Sequence, residues 1–420
     1  MNAQLARRRR IRPSKRALST LGLAAVLGLG AGACALPGQL GAAEAANGTP
    51  ATTAPVVVES AAGRTPPPAA PGPTTTVAPT PSSPVSGARN PSLWPFAADS
   101  PWNTPVGSGA VLESPSGPLT SMVRRSSLPS KDGSYTSNMT TWINAGTYSH
   151  PVVWASASDP LVTLTSPDPA MQVRIPANAQ PAAGGDAHLH VVQPDGKTLI
   201  EMWLAKKTSA TSWSAGRVEV VDLTGSGLGP DNGVRAYGGS AVGGLIRRWE
   251  VDPSDPNYTD GVIRHAVAIA LPSGMLRYSG GNAGYDANGY GTAKGYVWPA
   301  TEQDYDSPWS YYGNVPMGTL FTIPKSVNLD SLGLTPRAKA LAKAVQDYGA
   351  YVTDRTGDGT VAFYAEPSVP DSWFTDLTGP YWSSAQLTTI RTNLVAVTNN
   401  SPSSVGGGGT RPIAPAPALG

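Results

Sequence analysis

The chain has 420 residues, a formal net charge of +2 and one cysteine, Cys34. A single cysteine excludes an intramolecular disulfide and a thiolate-ligated metal in the folded part. Much of the positive charge belongs to the first residues, MNAQLARRRRIRPSKR, so the remainder is near neutral or slightly acidic, which argues against a nucleic-acid partner.

In chain order, residues 1–46 read as a signal peptide: a basic start, then the small-residue apolar stretch ALSTLGLAAVLGLGAGACAL. Two processing sites compete. Ala43-Glu44-Ala45 suits ordinary secretion, the preferred reading; Ala31-Gly32-Ala33-Cys34 resembles a lipobox that would leave a lipid anchor on Cys34 at the cell surface. Residues 47–90 form a Pro/Thr-rich disordered linker, and residues 401–420 read as a disordered tail. Residues 91–400 make a single β-rich domain. No transmembrane segment is expected in the mature chain, because no later apolar run could span a bilayer. A monomer is expected.

Short runs rich in Val, Ile, Leu and aromatics recur between Gly, Pro, Asp and Asn turns: HPVVWAS, PLVTLTS, MQVRIP, HLHVVQ, TLIEMWLA, RVEVVDL, GVIRHAVAIAL, GYVWPA, GTLFTIP, GAYVTD and TVAFYAE. They predict a mainly β, antiparallel β-sandwich or jelly-roll-like domain. Two peripheral α-helices decorate it. Thr335 caps the first at Pro336, with a stripe of Ala338, Leu341, Ala342 and Val345 and a stop at Gly349. The second has the stripe Leu387, Ile390, Leu394 and Val397. The segment 354–359, DRTGDG, departs from a calcium-loop spacing and reads as a hairpin turn.

The richest stretch is GGDAHLHVVQPDGKTLIEMWL, residues 184–204. An Asp-Gly pair between strand-like runs signals a hairpin. With Asp195-Gly196 as a two-residue loop, Pro194 faces Lys197, Val192 faces Leu199, His190 faces Glu201 and His188 faces Trp203. His188, His190, Glu201 and Trp203 then share one face. Leu189, Val191, Ile200, Met202 and Leu204 form the apolar, core-facing side. The first face carries the candidate site.

Asp186-x-His188 with Glu201, Leu245 to Arg247, Ile263 to Ala266, and Tyr348 with Asp354 resemble the motifs of a family of exported bacterial proteins. The resemblance covers most of residues 91–400 and implies export but no particular activity. His190 stands where that family's pattern has an apolar residue.

Asp186, His188 and Glu201 could serve acid–base chemistry, since an imidazole beside a carboxylate titrates near neutrality; a satisfied structural pair is the plainer alternative. Arg247, Glu250 and His265 complete the candidate catalytic set, with Arg247 suited to a substrate carboxylate. His188, His190 and His265 with a carboxylate are also a possible metal set, although no metal and no cofactor are assigned. His190, Trp203, Tyr285, Tyr290, Trp309 and Tyr311 are candidate substrate-binding residues, because flat aromatic faces beside polar acceptors suit sugar rings. The preferred reading is an exported carbohydrate-active protein, a glycan hydrolase or lyase acting on polysaccharide. For hydrolysis, Glu201 with Glu250 or Asp186 would be the carboxylate pair. The alternative is a non-catalytic module that binds cell-wall glycan.

Overall fold

Val267–Pro272 is buried at all of its positions, as a strand covered on both faces must be. A computed structural model places it at the centre of the largest sheet, and strands are numbered below in chain order. The structure describes residues 88–129, 134–136, 139–229, 233–278, 295–357, 359–370 and 385–420, which fall within one unit, Val77–Gly420. Residues 1–87, which hold the expected signal peptide and most of the expected linker, lie outside the described residues, as do Tyr285, Tyr290 and the side chain of Trp309.

The largest sheet runs β16 (Val395–Ala396), β13 (Leu320–Thr322), β14 (Ala350–Thr356), β12 (Val267–Pro272), β15 (Thr360–Tyr364), β3 (Thr140–Asn144). A second runs β11 (Arg217–Asp222), β8 (Thr198–Trp203), β7 (Leu189–Val192), β4 (Val152–Trp154). A third runs β6 (Met171–Arg174), β5 (Leu161–Thr165), β10 (Ser212–Ser214), β9 (Lys206–Ser209), and β1 (Leu128–Pro129) pairs with β2 (Tyr135–Thr136) as a ribbon. The described part is thus mainly β, as expected. Its sheets are mixed, however: β12–β14, β15–β3, β4–β7 and β5–β10 are parallel. Long connections between partners permit this pairing, which tight hairpins forbid.

The helices are α1 (Pro118–Arg124), α2 (Arg248–Val251), α3 (Ser307–Ser310), α4 (Pro336–Asp347) and α5 (Ala385–Thr392). α4 begins as its sequence dictates, with Thr335 Oγ1 accepting from Ala338 N at 3.4 Å, and Gly349 takes the left-handed φ of 86° just past its end. α5 stops before Leu394, and Val395–Ala396 is strand instead. Leu341, Val345, Leu387 and Ile390 are buried in the main core, so both helices are part of it. No helix among the described residues is long and apolar enough to cross a membrane.

The hairpin register is the one expected: His190 pairs with Glu201 and Val192 with Leu199. Pro194 does not extend the ladder, because it has no N–H. Gln193 N instead closes on Thr198 O at 2.7 Å, and the Asp195 carboxylate accepts from Lys197 N and Thr198 N. Leu189, Val191, Ile200 and Met202 pack on Val162, Leu164, Val173 and Trp213 of the third sheet, while Leu204 stays exposed. The opposite face is no open surface. Val192 and Leu199 join the main core, and His190 and Glu201 are fully buried.

Two local expectations differ from the structure. DRTGDG does not close a hairpin, since β14 and β15 lie on opposite sides of β12, each paired to it. The tail is built into the fold. Gly107 N donates to Gly406 O, Gly109 N to Gly408 O, and Gly420 N to Arg89 O, so a glycine-rich composition here serves close backbone pairing.

Candidate functional site

Glu201 lies in mid-strand, where the residues after β11 fold back over it. Its Oε1 accepts from Ser240 Oγ (2.6 Å) and Ala241 N (2.8 Å), and its Oε2 from Val234 N (3.0 Å). The loop can curl this tightly because Gly233 approaches Gly239, where a Cβ would meet a carbonyl oxygen at 1.8 Å. Burial raises the carboxyl to about 7 against the pull of these donors. Glu201 therefore anchors the 234–241 loop and places Arg235 on the inner face of the hairpin.

Arg235 is buried against β14 and β15. Its Nε lies 3.3 Å from Asp354 Oδ2 and its guanidinium carbon 4.0 Å from the Tyr364 ring centroid. Nη1 and Nη2 are buried without hydrogen-bond partners. Burial, with the opposing pull of Arg235, sets Asp354 at about 6.

Beside this cluster lie three histidines. Pro151 O accepts from His190 N at 3.0 Å, which brings His150, just before β4, against β7. His150 Nδ1 and His190 Nε2 are 3.1 Å apart. His188 completes the group, with ring centroids 4.5 Å from His150 and 5.7 Å from His190. Each ring keeps one buried nitrogen without a partner: His150 Nε2, His188 Nδ1 and His190 Nδ1. A buried polar atom left unpaired costs about 1–3 kcal/mol, so this group strains the fold. Burial holds His150 and His190 well below the usual imidazole range, aided next by Arg235 at His150 and by His188 and then Arg235 at His190. Burial sets His188 at about 4, although Asp186 pulls upward. All three are neutral at pH 7. Asp186 accepts from Trp203 Nε1 at 3.3 Å at the rim.

The remaining candidates converge elsewhere. Arg247 N donates to Glu250 Oε2 (3.0 Å), and Arg247 Nε to Glu366 Oε2 (2.9 Å). His265 lies between two acceptors, Ala266 O at 2.9 Å and Glu250 Oε2 at 3.0 Å. A carbonyl oxygen only accepts, so Nδ1 carries the proton facing Ala266 O, and the Glu250 contact at Nε2 favours the doubly protonated ring. Above this group opens a groove of about 340 Å³, lined by Trp154, Trp249, Asn90, Ser92, Asp255, Asn257 and Glu366. Trp154 is 44% exposed. The Arg247 guanidinium lies 5.5 Å from its ring, and Trp94 lies 6.3 Å from Trp249.

The His265 pair predicts a pH dependence. Burial pulls the ring down, but Glu250 and the Ala266 carbonyl outweigh it, so its native pKa is raised. Above about pH 6.5 the native state then holds protons that the unfolded state has lost. The stabilisation is complete below that pH and disappears as pH rises through the native value. In thermal melts the advantage of wild type over His265→Asn should shrink steadily on the alkaline side. A gap independent of pH would show that the imidazolium contributes nothing.

The structure thus divides the sequence candidates. His188 and His190 join His150, while Arg247, Glu250 and His265 join Glu366. Glu201 is tied into a loop. Tyr311 is no exposed platform: it is buried in the main core, where its hydroxyl donates to the Asp304 carboxylate. Trp203 stays at the surface. Sequence reading missed His150, Arg235, Trp154, Trp249 and Glu366. His150 was findable, being one of only four histidines and standing at the start of HPVVWAS. Compared with known proteins, the chain matches no family model, no curated protein and no solved structure.

Proposed function

We propose that this is an exported carbohydrate-active protein that holds a polysaccharide in the groove between Trp154 and Trp249. The groove itself carries the reading. Two indoles line it, and Asn90, Ser92, Asp255, Asn257 and Glu366 bring polar groups to its walls. Sugar rings stack their C–H faces on aromatics and spend their hydroxyls on polar groups of this kind. The binding role is favoured over cleavage by a Glu201/Glu250 pair, because both oxygens of Glu201 are taken by the 234–241 loop and Glu250 is buried, with Oε2 held by Arg247 N and His265.

A hydrolase or lyase is the second reading, favoured by one observation. The ionisable cluster of His188, Arg235, Asp354 and Tyr364 shares its supports with the groove: His150, whose ring is 5.3 Å from that of Tyr364, precedes Trp154 by four residues, and Glu366 follows Tyr364 by two.

Affinity electrophoresis of the full chain through a panel of neutral and acidic polysaccharides tests both readings, with reducing ends and unsaturated products assayed in parallel. Trp154→Ala should weaken retention by roughly 30-fold, the effect of removing an aromatic anchor worth about 2 kcal/mol. Retention unaltered by Trp154→Ala and Trp249→Ala would remove the groove from consideration. Product formation that survives in folded His188→Asn would remove the cluster.

A further inference from the structure

We propose that His150, His188 and His190 form a binding site for a divalent transition-metal cation of the zinc type. Three of the four histidines in the chain meet here. Their ligand atoms all lie within 4.8 Å of one another. Two nitrogens bound to one ion at ~2.0–2.1 Å and a tetrahedral angle stand ~3.3 Å apart; His150 Nδ1 and His190 Nε2 are already 3.1 Å apart.

Burial of three neutral imidazoles has no purpose in packing alone, since Leu or Phe would fill the space without stranding ring nitrogens. Each ring leaves a buried nitrogen unpartnered. The fourth histidine, His265, shows the ordinary alternative, with both of its nitrogens on protein acceptors.

The backbone is built to hold the cluster. Ala187, directly before His188, takes a left-handed φ of 40°, a strained conformation for a residue with a side chain. It is pinned there by Leu204 N donating to Asp186 O and Ala205 N to Ala187 O. Gly184 lets this segment approach the one carrying His150: a Cβ there would meet Thr147 O at 2.8 Å and Tyr148 at 3.0 Å.

The donor set selects the ion. Imidazole nitrogens suit Zn²⁺, Co²⁺, Ni²⁺ or Cu²⁺, whereas Ca²⁺ and Mg²⁺ take oxygen. Arg235, whose charge acts on all three rings, is paired with Asp354, and Asp186 acts in the opposite sense on His188. Three imidazoles supply three of the four ligands that zinc usually takes.

The test uses the full chain without a histidine tag, stripped with EDTA, loaded with ZnCl₂ and dialysed. Elemental analysis should find one zinc per chain, the melting temperature should rise with zinc, and CoCl₂ should give the visible absorption of tetrahedral Co²⁺. His188→Asn changes the least buried of the three rings. It should fold, and should weaken zinc binding by more than the roughly 10–100-fold lost with a mere supporting partner. His265→Asn should bind as wild type does. Wild-type protein that retains no zinc and melts unchanged overturns the proposal, and so does zinc binding undiminished in His188→Asn. Either failure leaves the groove reading standing, because Trp154→Ala probes other residues.

Discussion

Glu201→Ala should lose about 3–5 kcal/mol of stability in urea denaturation. The carboxylate is the acceptor for three buried donors, Ser240 Oγ, Ala241 N and Val234 N. Each donor left unsatisfied costs about 1–3 kcal/mol, and water entering the vacated space recovers part of that. Glu201→Gln should fall between the variants, about 1–3 kcal/mol below wild type. An amide keeps one acceptor, but its NH₂ must face either the backbone N–H groups of Val234 and Ala241, which only donate, or Ser240 Oγ, which alone of the three partners can turn to accept. Polysaccharide retention by the folded fraction should be unaltered in both, since Glu201 does not line the groove. A Glu201→Gln protein as stable as wild type yet inert on a cleaved substrate would return Glu201 to a catalytic role.

The hairpin illustrates what sequence can and cannot reveal. Alternation fixed its register, because a slip by one residue would turn Leu189, Val191, Ile200 and Met202 away from the third sheet. That His190 and Glu201 share a face was therefore legible, whereas the covering of that face was not. β14 and β15, strands 149 or more residues later than Glu201, close over it through Asp354 and Tyr364, which meet Arg235 and His150. No local pattern records such a contact. Arg235 was illegible for the same reason: its position depends on a loop curling over a buried carboxylate. The tail misled because Gly and Pro mark both disorder and close backbone packing. Composition alone cannot separate them, while the pairing of Gly406 and Gly408 with residues 107 and 109 can. The aromatic groove was half visible. HPVVWAS and RRWEV each displayed a tryptophan, but only the fold brings Trp154 and Trp249 to one opening.

Arg247→Met should cost about 3–5 kcal/mol, because it strands Glu366 as a buried, uncompensated charge. The two side chains are 3% and 4% exposed and meet at 2.9 Å. Arg247 also donates to Leu93 O, at 3.4 Å, tying residue 93 to Glu366, two residues past β15, through one guanidinium. Glu366→Leu alone should also destabilise, since it removes the acceptor for Arg248 N at the start of α2. The double variant Arg247→Met/Glu366→Leu is the informative one. With both charges gone no ion remains unpaired, and replacing a buried pair by apolar groups is often close to neutral. Its loss should therefore fall short of the sum of the single losses by about 1–3 kcal/mol. Additive losses would mean that the pair contributes nothing as a pair. The same cycle separates stability from recognition. Glu366 lines the groove and Arg247 lies under Trp154, so the double variant, even where it is folded, should retain polysaccharide less well than wild type. Full retention would place the binding energy in the two tryptophans alone and leave the ion pair as their support.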